Sequence, residues 1–187
     1  MQPAICSQTG CSLGGCMATT EPAPSPVPEL LQGAFSGPTE FAQRIRDALA
    51  IAAHEGWSEM VWSDPDFADW PLREKAVVDS LNAWARRGRK LVLLARRYDA
   101  VLRFQPRFVA WRSTWDHIVE CRVCKSQDDS EFLSALWSPQ WAMQRQDPAR
   151  SNGFAGFEPR RRLVLREALD EAHRQSGPGF PASILGL

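Results

Sequence analysis

Glu131-Phe-Leu-Ser-Ala-Leu-Trp-Ser-Pro-Gln-Trp-Ala-Met-Gln-Arg-Gln-Asp-Pro148, in one-letter code EFLSALWSPQWAMQRQDP, decides how this chain is read. It reads as two short strands around a turn, with Asp147-Pro148 closing the second strand. A hairpin cannot bury its own apolar face, so the fold depends on what precedes and follows it.

Upstream, strands and helices alternate. Thr39 can cap a helix whose Phe41, Ile45, Ala48, Leu49 and Ala52 recur at helical spacing, with Gly56 as its end. Glu59-Met-Val-Trp-Ser63 follows as a buried strand closed by Asp64-Pro65-Asp66. A second helix runs from about Pro71 to Arg87, with Val77, Leu81, Trp84 and Ala85 inward and Gly88 as its C′ residue. Lys90-Leu-Val-Leu-Leu-Ala95 is a continuous apolar run, as expected of a strand covered on both faces. A helical region from about Asp99 to His117 breaks at Pro106, which lacks the amide hydrogen. Its Phe104, Phe108, Trp111 and Trp115 form an aromatic stripe that reads as core. A strand at 118–124 and a polar turn at 126–130 lead into the hairpin. Downstream, Pro159 starts a last helix carrying Leu163, Leu165, Ala168 and Leu169 and running to about Gln175. This order predicts a single α/β domain with a mixed β-sheet flanked by helices.

The ends have a different texture. Between Thr19 and Pro38, prolines at 22, 24, 26 and 28 favour an extended, polyproline-like backbone. Residues 1–38 are therefore expected to be a disordered extension and linker, and 39–187 the domain. Cys6, Cys11 and Cys16 lie among Gly, Ser and Gln without a His or acidic companion, so they make an incomplete zinc site. The blander reading takes Met17 as the true start and residues 1–16 as an upstream extension. Cys121 and Cys124 form a C-x-x-C inside a strand pattern, and the expectation is two buried or edge-strand thiols without a metal.

Composition narrows the function classes. The 187 residues are 44% hydrophobic, enough for one real core, and 22 basic residues balance 22 acidic ones. That neutrality gives no global steering toward nucleic acid or membrane. No apolar run reaches membrane-spanning length and no secretory signal pattern opens the chain, so the expected location is cytoplasmic.

The chain resembles one half of a phospholipase D-like domain over roughly residues 39–187. The likeness rests on the hairpin with Trp141-Ala-Met143, on Asp147-Pro148, on Gly153-Phe-Ala-Gly156, and on a last helix ending in Gln175-Ser-Gly-Pro-Gly-Phe-Pro181. In that superfamily the first hairpin strand carries His-x-Lys, then four residues and an Asp. The His and Lys share one strand face and meet one phosphate together. The three slots fall here on Glu131, Leu133 and Ser138, and none can do the chemistry. No His-x-Lys exists anywhere in the sequence. The resemblance thus implies a scaffold without catalytic residues or cofactor. It also implies a homodimer, because active members combine two halves around one site.

The remaining candidates are local. Between Arg86 and Arg112 nine basic residues (Arg86, Arg87, Arg89, Lys90, Arg96, Arg97, Arg103, Arg107, Arg112) face one acidic residue, Asp99. Such a cluster suits a phosphate backbone, or it is a solvated face paired with the acidic stretch 59–79. The anion-binding candidates are Arg86, Arg87, Arg89, Lys90, Arg96 and Arg97. Arg96 and Arg97 stand out because α/β sheets bind ligands at the carboxyl ends of their strands. The expected role is a non-catalytic binding or regulatory module, with a nucleic acid or other phosphate-containing ligand as partner. The alternative is a phosphodiesterase or hydrolase in which His117, near Cys121 and Glu120, acts. His54 and His173 read as helix-end residues favoured by the dipole. Asp64, Asp66 and Asp69 read as turn chemistry rather than a metal loop.

Overall fold

The computed structural model describes residues 29–87, 89–125 and 132–181. Its strands are β1 (Gly33–Phe35), β2 (Glu59–Ser63), β3 (Lys90–Ala95), β4 (Val119–Val123), β5 (Ser134–Trp137), β6 (Ala142–Asp147), β7 (Asn152–Gly156) and β8 (Gly177–Pro178). They form one mixed sheet in the order β1-β7-β6-β5-β2-β3-β4-β8. β2, β3 and β4 are parallel, and every other pairing is antiparallel. The helices are α1 (Pro38–Ile51), α2 (Lys75–Ala85), α3 (Asp99–Phe104), α4 (Pro106–Thr114) and α5 (Pro159–Arg174). The expected α/β domain with a mixed sheet flanked by helices is what the chain forms.

Side chains alternate across the sheet, and the two faces hold separate apolar clusters. Trp62, Leu91, Leu93, Cys121, Leu136 and Met143 pack against α1 to α4 through Phe41, Ile45, Leu81, Trp84, Phe108 and Trp111. Val61, Val92, Leu94, Ala135 and Ala142 face α5, which contributes Leu165 and Leu169. The aromatic stripe is core for Phe108 and Trp111, whose rings lie 5.5 Å apart with Trp62 6.1 Å from Phe108. Phe104 departs from it: it ends α3 and is 60% exposed, as is Leu163 on the outer side of α5. Pro106 splits the helical region into α3 and α4, as its missing amide requires.

Element ends show where local chemistry overrode the pattern. Gly37, not Thr39, caps α1: its φ of 89° is left-handed, Pro38 fills the first helical position, and Phe41 N donates to Gly37 O at 3.1 Å. The helix continues into a π-helical turn, Ala52–Gly56, that closes on Gly56. α2 starts at Lys75, after a turn at Leu72 and Arg73 closed by Glu74 N donating to Pro71 O, and the expected cap Gly88 lies outside the described residues. Three strands arise where none was expected. β7 lies in the Gly153–Gly156 passage, β8 in the Gly-Pro tail, and β1 in the stretch assigned to the linker. Ser36 Oγ donates to Asn152 Oδ1 at 2.8 Å, fastening β1 beside β7. Among the described residues no helix is long and apolar enough to cross a membrane.

Candidate functional site

The carboxyl end of β2 is held by a buried polar cluster. Asp64 follows Ser63 directly and is 1% exposed. Its Oδ1 accepts the Phe67 amide at 2.9 Å, an Asx-type turn that supports Phe67 at φ 56°. Its Oδ2 accepts Ser134 Oγ at 2.6 Å and Arg145 Nη2 at 2.7 Å. Arg145, on β6, also donates from Nε to Ser134 Oγ at 3.0 Å and from Nη1 to Asp69 Oδ2 at 3.0 Å. Its guanidinium carbon lies 4.3 Å from the centre of the Phe41 ring. Ser63 Oγ donates to Leu133 O at 2.6 Å. This cluster ties β2, β5 and β6 together, and its donors and acceptors are engaged with one another, so it serves as a structural clamp.

The hairpin explains the three catalytic slots. Glu131 lies outside the described residues. Ser138 Oγ accepts the amides of Trp141 at 2.9 Å and Gln140 at 3.3 Å and donates to Trp141 O at 2.8 Å, so the hydroxyl is spent on folding the turn. Leu133 is half-buried and opens onto a groove of about 460 Å³ between the sheet and α5.

That groove has an apolar floor, Leu133, Ala142 and Phe154, and an α5 wall of Val164 and Leu165. Arg160, Arg161 and Arg162 stand at one end, in the first turn of α5, with Glu158 at the helix cap as the acidic residue beside them. Cations there oppose the helix macrodipole, so the positive field of the exposed backbone amides adds to that of the guanidinium groups. Arg161 is held by Glu158 at 2.8 Å and lies 4.1 Å from the centre of the Phe154 ring. Arg162 Nε donates to Phe157 O at 3.2 Å. α5 itself is anchored: Trp137 Nε1 donates to Arg162 O at 2.9 Å, and Arg166 pairs with Glu59 at 3.0 Å and Asp170 at 2.9 Å. Both of those pairings hold the Arg166 pKa above its ordinary value against the opposing effect of burial. The arrangement is an anion-attracting mouth on an apolar trough. The run Pro159-Arg-Arg-Arg162, basic residues at a helix start, was visible in the sequence but was not counted among the candidates.

The expected basic candidates do not form one surface. Arg86, Arg87, Arg89 and Lys90 lie at the amino end of β3, and Arg96 and Arg97 at its carboxyl end, with the strand between them. Arg89 caps backbone, donating to Gly56 O at 2.7 Å and Trp57 O at 3.1 Å, and so closes the π-helical turn. Lys90 lies 3.7 Å from Glu120, and Arg97 3.3 Å from Asp66. Arg107 donates to Arg73 O at 3.0 Å, and Arg103 lies 5.2 Å from the Phe104 ring centre. The acidic stretch draws its other partners from elsewhere: Glu59 takes Arg166, Glu74 takes Arg46 at 2.7 Å, and Asp64 and Asp69 take Arg145.

His117 stands 64% exposed at the amino end of β4, 3.8 Å from Asp116. Cys121 is buried, and burial pushes its thiol above the ordinary value, against the pull of Arg112. A thiol held neutral in the core beside a histidine in solvent is the opposite of an activated pair. Cys124 belongs to the cluster on the other sheet face, so the two thiols of the C-x-x-C do not converge. His54 is exposed in the π-helical turn, whereas His173 bonds Glu120 at 2.8 Å and ties α5 to β4. Burial raises the Glu120 carboxyl, yet His173, Lys90 and Arg122 together bring it below its ordinary range. Among the described residues no group of three or more metal-ligating side chains gathers. Cys6, Cys11 and Cys16 lie outside them.

No family model and no curated protein matches the sequence. Among solved structures, the chain is similar to TrmBL2, described as an archaeal chromatin protein with a novel mode of DNA binding. The TM-score is 0.59 at 16% identity, over 87% of this chain and 57% of that one. It also matches a phosphatidylserine synthase from Haemophilus influenzae Rd KW20, with a TM-score of 0.46 at 13% identity, over 78% of this chain and 39% of that one. The chain thus spans little more than half of the first protein and less than half of the second. At such identities the likeness to TrmBL2 is one of fold alone: a single α/β domain built on a mixed sheet flanked by helices.

Proposed function

We propose that this protein is a non-catalytic, phospholipase D-like half-domain that works by binding a phosphate-containing ligand, as a cytoplasmic homodimer. The observation that carries this reading is the position of Leu133. The resemblance aligns it with the superfamily's phosphate-binding lysine, and the groove it opens onto ends in Arg160, Arg161 and Arg162. Positive charge is present beside the slot, while the slot itself and Ser138 hold nothing that can attack or transfer a phosphoryl group. On this reading the ligand lies in the groove, with Arg96 and Arg97 at the end of β3 as the other candidate.

Fluorescence anisotropy against short single- and double-stranded nucleic acids, repeated across a salt series, tests the ligand class. Binding that weakens with salt and is lost on replacing Arg160, Arg161 and Arg162 by alanine supports the groove. Binding that survives this replacement and disappears in the Arg96→Ala, Arg97→Ala protein returns the site to the end of β3. Light scattering tests the dimer, which a monomer at tens of micromolar would rule out.

A further inference from the structure

Among the described residues two arginines are buried on the side of the sheet that α1 to α4 cover, and their surroundings differ. Arg145, 5% exposed, meets two carboxylates and two hydroxyls. Arg112, on α4 and 6% exposed, meets no carboxylate, and its Nε and Nη1 have no hydrogen-bond partner among the described residues. The Cys121 thiol is its sulfur neighbour, and burial raises that thiol's pKa, so it supplies no counter-charge. The Tyr98 hydroxyl nearby has one proton to share between the carbonyls of Leu93 at 3.0 Å and Arg122 at 3.1 Å, and burial holds its pKa well above the ordinary value. A buried guanidinium without an anion is among the costliest arrangements a core can hold, and orphaned donors of this kind call for a partner that the described residues do not supply.

Phe180 covers this position. Its ring centre lies 5.4 Å from the Arg112 guanidinium carbon and 5.0 Å from the Tyr98 ring. Its backbone is left-handed at φ 41°, an unfavourable conformation for a residue with a bulky side chain. The segment is held against β4 by the two residues of β8 and by Gly179 N donating to Cys121 O at 3.0 Å. An aromatic residue of strained backbone, two positions beyond a two-residue edge strand, is a displaceable cover.

We infer that Arg112 is the base of a site for a small oxyanion, of the phosphate or sulfate type, closed by Phe180. The anion accepts from Nε and Nη1 of Arg112 and replaces the Phe180 ring over the guanidinium, which trades a cation–π contact for a charge-assisted hydrogen bond. This site is separate from the groove, which lies on the opposite face of the sheet.

The test is isothermal titration of inorganic phosphate and of sulfate, with melting temperature as a second readout. In the protein lacking Arg160, Arg161 and Arg162, whose groove no longer attracts phosphate, the anion should still bind and raise the melting temperature, and the variants below are made in that background. Phe180→Ala should bind several-fold tighter because its cover is gone, and Arg112→Met should not bind. Absence of binding in this background both with and without Phe180→Ala overturns the inference, as does binding that persists in Arg112→Met. Should Arg112→Met fail to fold, the Phe180→Ala affinity decides: a value equal to that of the background protein sinks the proposal. Loss of binding in the triple-arginine protein would also sink it, by moving the anion to the groove.

Discussion

Arg145 spans two carboxylates in opposite surroundings, so a single side chain provides its own comparison of buried and exposed pairing. The Asp64 end is sealed, with side-chain exposures of 3% and 2% for Arg145 and Asp64 at 2.7 Å. At the other end Asp69 is 57% exposed and 3.0 Å away. Removing one partner of a buried pair costs about 3–5 kcal/mol because the other charge is left without compensation. An ion pair open to water contributes about 0–1 kcal/mol. Arg145→Met should therefore lower stability by about 3–5 kcal/mol, since it strands the Asp64 carboxylate with Ser134 and the Phe67 amide as remaining donors. At about 2–4 °C per kcal/mol for a domain of this size, the melting temperature should fall by ~6–20 °C. Asp69→Ala should cost less than about 1 kcal/mol. The double variant Asp64→Leu, Arg145→Met should recover part of the loss, because a buried ion pair replaced by apolar groups is often neutral. Urea unfolding at neutral pH measures all four proteins. Equal losses from Asp69→Ala and Arg145→Met, or a double variant no more stable than Arg145→Met, would refute the reasoning.

Gly153 faces backbone: a Cβ there would meet Gln144 O at 2.2 Å, Phe35 Cζ at 2.4 Å and Arg145 Cα at 2.9 Å. Gly153→Ala should thus cost more than about 3 kcal/mol, read by urea unfolding, and would free β7 from its neighbours. The Glu120 pKa lies below its ordinary 4.5, so the carboxylate stabilises the fold above that value and the contribution is lost as pH falls through the folded pKa. Wild type should accordingly lose stability faster than Glu120→Gln below about pH 4.5, by less than about 1 kcal/mol because the group is partly solvated, and unfolding at stepped pH will show it. Burial holds both Cys121 and Cys124 thiols above their ordinary value. With Cys6, Cys11 and Cys16 changed to serine, the native protein should resist a thiol reagent at pH 8 and react at two sites once unfolded.

Helices and central strands were legible because their apolar residues repeat at the periods of those elements: Lys90–Ala95 could hardly be anything but a covered strand. The edge strands were not, since Gly33–Phe35 and Gly177–Pro178 have too few side chains to show a period and exist through their partners. Arg145 reads in sequence as a polar residue of a hairpin. Its burial depends on Asp64, 81 positions away, which no local pattern announces. The absence of the catalytic motif was fully readable, whereas the groove needed α5 laid beside β6 and β7 before the arginines at its start had a trough to face. The basic cluster misled because a strand separates in space what is adjacent in sequence: Lys90 and Arg96 point to opposite ends of the sheet.

The first strand of the sheet pairs with β7, so Ala34 finds its partner Phe154 only after nearly the whole domain has been made. During synthesis β2, β3 and β4 can assemble as a parallel core while β1 stays idle, and the sheet edge at β6 is left bare until β7 and then β1 arrive. A nascent chain whose β6 has left the ribosome before β7 therefore presents a core with an open edge, and that window is where the chain would most need a chaperone.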